Sequence, residues 1–549
     1  MKKKQTKKKT KKKNRKLEIL KIYLRLVKKH GFTPTRAVML ENGVSRDAIR
    51  SAYTSLESLE EHARKTHPEV FENVLDKHCF TKDKFEFLKS DISQYKRFVI
   101  TTAICGIDNL DINFYNSIKT YCEHNNAKLL VIPVQDPANR FVKSNWNLDK
   151  RLQDDLLVFD DLRLNSNVSI RAIKLSAKQI DPVTGLDRLG QSKGSFIFGS
   201  PKQRMRPVSV GEEKMPHVFM STGSISVNTS YESDYYFSKR TEYLAKHDHI
   251  VGAIIVEIED DDIFHYRTIK ANHKGEFIDL AVKYTPTKRE FIGVQGFVLG
   301  DWHSGETDKT AANAWKEVAQ ETKPNILVVH DFFNGKFNNH HDAENTIVRA
   351  KLALQNKISL QREIECCIRD LNKLSTLAKT VYIVRSNHDE VIERYIREGR
   401  YLDDPINLDL ASKLISPMIH NHMCLQYLVE NLHTLCSTKY KLTAKNIKWL
   451  RRDESLKISG IECGAHGDVS KNNAKGSIKN IELGYGPCVV GHSHTPEILR
   501  EVYRVGTSSI LRPDYVRGPS TWMHTSCLIY KDGSRQLINS INGSWKLRS

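Results

Sequence analysis

No run of this sequence is apolar enough to cross a bilayer. The longest, near Phe98 to Ile107, spans about ten residues where about twenty are needed. No secretory signal is expected either, because no apolar stretch follows the basic N-terminus. The ten cysteines are scattered, with no Cys-x-x-Cys pair and no regular framework. That excludes a disulfide scaffold, argues against a structural zinc ribbon and fits a reducing cytoplasm. There is no phosphate loop or dinucleotide fingerprint, since Gly190, Gly194 and Gly199 lack the spacing. No internal repeat of clear period is present.

Acidic residues are missing from one end. Residues 1–16 hold eleven Lys or Arg and no Asp or Glu. Of the net charge of +20 they carry eleven, which leaves only nine for the other 533 residues. Such a run builds no core and is expected to be a disordered tail. Its chemistry suits a tether to a polyanion, above all nucleic acid; a solubilising tail has the same composition. The remaining length predicts two to four domains, and 39% hydrophobic residues are enough to pack them.

Residues 17–92 read as a helical module. Leu17 to Lys29 has helical spacing, with Ile19, Ile22, Tyr23 and Leu26 on its buried side. Thr33 as cap and Pro34 at the first helical position open a second helix over 35–41. Asn42-Gly43-Val44 is a tight turn, and Ser45 caps a third helix to about Leu59. Helix, glycine turn, helix is the helix-turn-helix pattern, which would face Arg46, Arg50, Ser51 and Thr54 to a DNA groove. An ordinary three-helix packing module reads the same way.

Residues 93–295 read as an α/β middle domain that holds DNA or another subunit. Arg97 to Cys105 predicts a strand, Ile112 to His124 a helix and Ala127 to Val134 a second strand, a βαβ unit with parallel pairing. Ile250 to Ile258 and Phe277 to Tyr284 predict further strands. Residues 296–549 form the last domain. Strand signals at 292–300, 325–330, 380–385, 457–462 and 487–490 alternate with helices at 310–321 and 345–377. A mostly helical insertion covers 405–450, and 500–549 reads as short strands and turns.

The chemistry sits where those strands end. Leu299-Gly-Asp-Trp-His303 places Asp301 and His303 two residues apart past a strand, able to converge on one point as metal ligands. Four more stretches follow the same plan: Val328-Val-His-Asp331-Phe-Phe-Asn334, Val384-Arg-Ser-Asn387-His388-Asp389-Glu390, Gly464-Ala-His466-Gly467-Asp468 and Val489-Val-Gly491-His492-Ser-His494. Each puts Asp, Asn or His just after an apolar run, where α/β sheets build their sites. Two divalent cations about 3.5–4 Å apart need a bridging carboxylate with oxygen and nitrogen ligands on each side, and this set contains them.

In order and type these motifs resemble the calcineurin-like metallophosphoesterase superfamily, over roughly residues 295–510. The resemblance implies a β-sandwich flanked by helices. It implies one metal on Asp301, His303, Asp331 and His494, a second on Asp331, Asn387, His466 and His492, and His388 as general acid. Asp389 and Glu390 either orient His388 or act as caps. The donor set suits Mn²⁺, with Mg²⁺, Fe or Zn²⁺ as alternatives. Two glycines of the family pattern are replaced, by His330 and Ser386, and His330 becomes a candidate substrate contact. The Gly-Asp-x-x-Asp-Arg-Gly of the protein phosphatases is absent, and the aromatic pair after Asp331 resembles the SbcCD-type nuclease branch. The whole layout resembles the early DNA-degradation proteins of T-odd tailed phages. The expectation is a metal-dependent DNase, endo- or exonucleolytic, that degrades host DNA early in infection. DNA is its partner, a homo-oligomer its state and the host cytoplasm its location, with no membrane. A cyclic-nucleotide or other small phosphodiesterase, or a non-enzymatic DNA-binding host-takeover factor, are the other readings.

Overall fold

The computed structural model describes residues 2–30, 33–34, 36–71, 90–104, 109–134, 148–152, 155–173, 175, 179, 181–186, 188–189, 194–211, 215–228, 239–338, 345–452, 454–513 and 516–548. It is a mixed α/β structure with several sheets, in two compact units. One comprises Met1–Leu88 with Arg140–Asp154, the other Lys89–Asn139 with Asp155–Ser549. Among the described residues no helix is long and apolar enough to cross a membrane.

The first unit packs helices Lys2–His30, Arg36–Glu41, Arg46–Tyr53 and Leu56–Thr66. Ile19, Tyr23 and Leu26 are buried as the spacing predicts, and Ile22 is half-buried beside them. Two expectations are corrected. The tail expected to be disordered over 1–16 is the first half of the Lys2–His30 helix. That stretch contains neither Gly nor Pro, and lysine propagates a helix well once a buried stripe has nucleated it. The helix expected from Ser45 to Leu59 is two helices. Thr54, at φ 64°, ends the first, and the Ser55 hydroxyl accepts from the Ser58 N–H to start the second. Thr-Ser here caps rather than propagates.

The second unit opens with the βαβ signal. Strands Arg97–Ile104 and Ala127–Val134 pair in parallel across the helix Ile112–Asn125. Gly252–Ile258 and Phe264–Lys270 extend this sheet on one side and Leu156–Leu157 on the other. The single strand expected over Phe277 to Tyr284 is a tight hairpin, Phe277–Asp279 paired with Val282–Tyr284, because the chain reverses at Leu280 with φ 56°. The helix expected over 345–377 is likewise two, Thr346–Leu354 and Leu360–Leu374, with Asn356 at φ 58° and the Ser359 cap between them.

Two larger sheets carry the site. The six-stranded one orders Ile447–Trp449, Thr380–Ile383, Ile326–Val329, Gly296–Leu299, Thr525–Ile529 and Arg535–Asn539. Its first four strands are parallel. Phe297, Leu299, Leu327, Val329, Val381 and Ile383 lie in one core cluster with Trp315, Ile364, Leu371 and Leu428 of the flanking helices. Each such side chain contributes about 1.5–3 kcal/mol relative to exposure. On the other face a Cβ at Gly296 would lie 3.0 Å from the Ile458 side chain of the second sheet.

That second sheet has ten strands and crosses the expected boundary at 295/296. Glu497–Leu499 pairs antiparallel with Ser200–Val208, with Ile498 opposite Met205. The buried Arg204 adds hydrogen bonds to the Ile498 carbonyl at 2.5 Å and to Glu497 at 2.7 Å. Residues 93–295 and 296–549 therefore share a sheet rather than standing as separate domains. The insertion expected to be mostly helical over 405–450 has its helices, Leu408–Ser412, Ile415–Ile419 and Cys424–Leu435, in the first part only, and its end, Ile447–Trp449, is an edge strand of the six-stranded sheet.

Candidate metal centre

Five strand ends meet at one place. Asp301 follows Gly296–Leu299, Asp331 follows Ile326–Val329, and Asn387 and His388 follow Thr380–Ile383, all in the six-stranded sheet. His466 follows Ile461–Glu462, and His492 follows Cys488–Val490, in the ten-stranded sheet. The first two loops stay zipped past the strands: the His303 N–H donates to the Asp331 carbonyl at 2.9 Å and that of Ser304 to Phe332 at 3.0 Å. The Gly491 N–H donates to the His466 carbonyl at 2.8 Å, tying the other two.

The side chains then fall into two overlapping groups. Ligand atoms of Asp301, His303, Asp331 and His494 lie within 4.8 Å of one another, as do those of Asp331, His466 and His492. Asp331 belongs to both. Its Oδ2 is 3.3 Å from His466 Nε2 and 3.7 Å from His303 Nε2. His494 Nε2 is 3.2 Å from Asp301 Oδ2 and 3.1 Å from His303 Nε2. The backbone is bent to achieve this. His303, Asp331, His492 and His494 take positive φ of 49°, 43°, 72° and 57°, a conformation that costs a non-glycine residue about 1–2 kcal/mol. Such strain concentrates at functional sites. Gly491 is required by proximity, since a Cβ there would stand 2.2 Å from Asp301 Oδ1.

Electrostatics separates the members. Burial opposes charge on Asp331, but His466, His388 and His303 outweigh it and hold this carboxyl well below its ordinary range. Burial, with the charge of Asp331, pushes Asp301 well above that range. Burial lowers His303 to about 3 and His492 to about 4, and keeps His494 well below its usual value. His466 moves the other way: burial opposes its charge, yet Asp331 raises it to about 9. Both Asp301 oxygens, Asp331 Oδ1, Asn387 Oδ1, both His466 ring nitrogens and the Nδ1 atoms of His303 and His494 are buried without a hydrogen-bond partner. Buried polar atoms left unpaired are costly. Carboxylate and amide oxygens with neutral imidazoles are the donors a divalent cation takes, so these residues fit a metal.

His388 lies outside both groups. Its Nδ1 is 2.7 Å from the Asn334 carbonyl, which assigns the proton to Nδ1, and its ring centroid is 4.8 Å from that of His303. Asp389 does not orient it: its carboxylate accepts from the Phe333 N–H at 3.2 Å and the Ser386 N–H at 2.9 Å, joining two loops. Glu390 pairs with Arg385 at 3.2 Å. His330 is fully buried, its ring 5.7 Å from that of His466. It packs behind the ligands and is closed to the substrate contact expected of it. Arg46, Arg50, Ser51 and Thr54 belong to the first unit and are exposed. The Ser51 hydroxyl donates to the Ala48 carbonyl at 3.0 Å and that of Thr54 to the Tyr53 carbonyl at 2.5 Å, so both hydroxyls are taken up by nearby backbone.

Three contributors carry no signal in the linear sequence. Glu363, in the helix Leu360–Leu374, accepts from the Lys336 and Phe337 N–H groups at 3.0 and 3.1 Å and so holds the loop that contains Asn334. Burial raises its carboxyl to about 7. Trp302 Nε1 donates to Asp370 at 3.1 Å, fixing the residue between Asp301 and His303. Trp522 sets its ring 4.1 Å from that of His494.

One known protein bears on this geometry. The chain is similar to Protein A1 of Escherichia phage T5, 27% identical over an alignment of 486 positions that covers 83% of this chain and 84% of that protein. No protein-family model and no solved structure matches the chain.

Proposed function

We propose that this protein is a phage-encoded, metal-dependent DNase with a calcineurin-like, two-metal phosphoesterase centre. One observation carries the reading: two groups of ligands, buried except for the half-buried His492, share the single carboxylate of Asp331. That is the arrangement in-line phosphodiester hydrolysis needs, because attacking and leaving oxygens develop charge on opposite sides of one phosphorus. Asp301, His303, Asp331 and His494 would hold one cation, and Asp331, Asn387, His466 and His492 the other. Divalent ions held there supply the charge that polarises a phosphoryl oxygen and acidifies water, with Mn²⁺ the best match to the donors.

The chain's own residues do the rest. The Asn334 carbonyl keeps the Nδ1 proton of His388, so the doubly protonated ring gives its Nε2 proton to the leaving oxygen and returns to the neutral Nδ1–H form. Glu363 and Asp389 brace the loops that set Asn334 and His388. Half-buried Asn387, His388 and His492 border the centre, so a phosphodiester approaches from their side. The substrate is read as DNA for two reasons. Eleven cationic residues in the first sixteen and the exposed Arg46 and Arg50 suit a polyanion, and similarity to a phage protein supports a role in host takeover. We read the enzyme as a homo-oligomer that degrades host DNA in the host cytoplasm.

The test uses purified protein on circular and linear duplex DNA with Mn²⁺ or EDTA, beside Asp331→Ala. Metal-dependent loss of circular DNA, absent in the variant, is expected. Hydrolysis of a small phosphodiester with no DNA cleaved would replace this reading by a small-molecule phosphodiesterase.

A further inference from the structure

Directly after His466 the chain makes a detour. Residues 468–476 run outward and come back to where they began. The Gly476 N–H donates to the Asp468 carbonyl at 3.0 Å, and a Cβ at Gly476 would stand 1.9 Å from the Gly467 carbonyl oxygen. The excursion therefore bridges no gap between His466 and the helix Ile478–Tyr485 that follows. Its far part covers no core either, since every residue from Lys471 to Lys475 is exposed.

It is nonetheless a built hairpin. Val469 and Lys475 form an antiparallel bridge. The Ser470 N–H donates to the Ala474 carbonyl at 2.8 Å, and the Ala474 N–H to the Lys471 carbonyl at 3.2 Å. Asn472 and Asn473 make the turn with φ of 57° and 58°, the left-handed pair that a tight hairpin turn requires and that asparagine tolerates. The foot stands at the open side of the centre. A Cβ at Gly467 would lie 3.2 Å from the carbonyl oxygen of Gly491, the neighbour of His492. Asp468 pairs with Arg452, which also donates to the Arg385 carbonyl at 3.4 Å, two residues before Asn387. Asn387 and His492 are the half-buried ligands.

The arm is cationic. Between Val469 and Ile481 stand Lys471, Lys475 and Lys479, all exposed, with no Asp or Glu. Among the described residues the side chains of Lys471, Asn472, Asn473 and Lys475 have no hydrogen-bond or ion-pair partner. From Asp468 to the turn is four residues, a reach of roughly 13 Å. That spans about four phosphates along one DNA strand. Lysines and asparagines held on such an arm suit phosphate and sugar oxygens, which fix a nucleic acid in register without reading its sequence.

We infer that the hairpin 468–476 grips the DNA backbone beside the scissile bond, with Lys471 and Lys475 neutralising phosphates within a few nucleotides of the cut. The inference rests on the nuclease reading above. An acidic peptide would match the same lysines, but a polyanion already seated in the centre lies within the arm's reach.

The experiment compares full-length wild type, the double variant Lys471→Ala/Lys475→Ala and the charge-keeping Lys471→Arg/Lys475→Arg. KM and kcat are measured with Mn²⁺ on DNA oligonucleotides of increasing length and at several salt concentrations, with manganese bound per chain counted in parallel. The alanine pair should raise KM on long DNA about tenfold or more at 0.1 M salt, and flatten the slope of log KM against log salt by about 1.8, or 0.9 for each phosphate released. It should keep kcat and manganese. Wild-type KM should fall as the DNA lengthens past about four nucleotides from the cut, and that gain should vanish in the alanine pair and return in the arginine pair. Lost manganese together with lost kcat would show the hairpin to be a prop for His466 and overturn the inference. So would an unchanged KM and salt slope while the wild type cuts DNA and Asp331→Ala does not, a result that leaves the nuclease reading standing. Wild type that cuts no DNA overturns both.

Discussion

A methyl group placed at Gly491 probes how closely the two sheets meet around Asp301. The added Cβ would sit 2.2 Å from Asp301 Oδ1 and 3.2 Å from His330 Cβ. The carboxylate oxygen must retreat by about 0.8 Å, the difference between 2.2 Å and the 3.0 Å floor for such approaches. Asp301 has no room to turn aside, since it is 0% exposed and its backbone is fixed by the Gly506 carbonyl and the Ser508 N–H. Overpacking of this kind costs about 1–3 kcal/mol of stability. The effect on metal should be larger in consequence, because ligand distances are held to about 0.2 Å. Gly491→Ala is therefore expected to fold, to melt slightly earlier in EDTA and to bind Mn²⁺ roughly 10–100-fold more weakly, the loss typical of displaced ligand support. Calorimetric titration with Mn²⁺ beside an EDTA melting curve reads both effects. A folded variant with wild-type manganese affinity would refute the placement of Asp301 among the ligands.

Metal binding should release protons. His466, held at about 9 by Asp331, is protonated in the metal-free chain from its ordinary value up to that pH, and a cation must displace that proton. Affinity should climb with pH toward 9, and calorimetry at pH 7.5 in buffers of different ionisation enthalpy should show at least one proton released, since Asp301, pushed well above the ordinary carboxyl range, must also bind as the carboxylate; none released would contradict the coupling of His466 to Asp331. His303 and His492, lowered to about 3 and 4, are already neutral there and add nothing. His388→Ala should retain manganese and lose about 10²-fold or more in turnover, with an unchanged rate removing His388 from the mechanism. Deleting residues 2–16 should weaken DNA binding and flatten its dependence on salt, because each phosphate that the tail no longer neutralises lowers the slope by about 0.9; an unchanged slope would show that the tail does not touch DNA.

The ligand stretches were legible because each ends an apolar run, and a strand's carboxyl end has one place to deliver a side chain. That logic also finds the parallel pairing of Gly296–Leu299, Ile326–Val329 and Thr380–Ile383. It does not find the sheet shared across residue 295. Met205 and Ile498 pair at a separation that no local period encodes. His330 departs from the family pattern and reads as a possible substrate residue, yet its burial behind His466 follows from packing between two sheets. Thr54 and Leu280 turn where propensity would let a helix or strand run on, and each takes a left-handed φ that no neighbouring glycine announces. Glu363 and Trp522 were invisible for a further reason: their roles depend on partners across a loop, at Lys336 and His494.

The central claim is that Asp331 joins two metal sites. It is tested most directly by counting manganese per chain and recording the electron paramagnetic resonance of the loaded protein, for wild type and Asp331→Ala. The account predicts about two ions in the wild type, with the exchange-coupled signal of a carboxylate-bridged pair, and loss of both ions and of the coupling in the variant. A single ion, two uncoupled ions, or an Asp331→Ala protein that keeps both would contradict it.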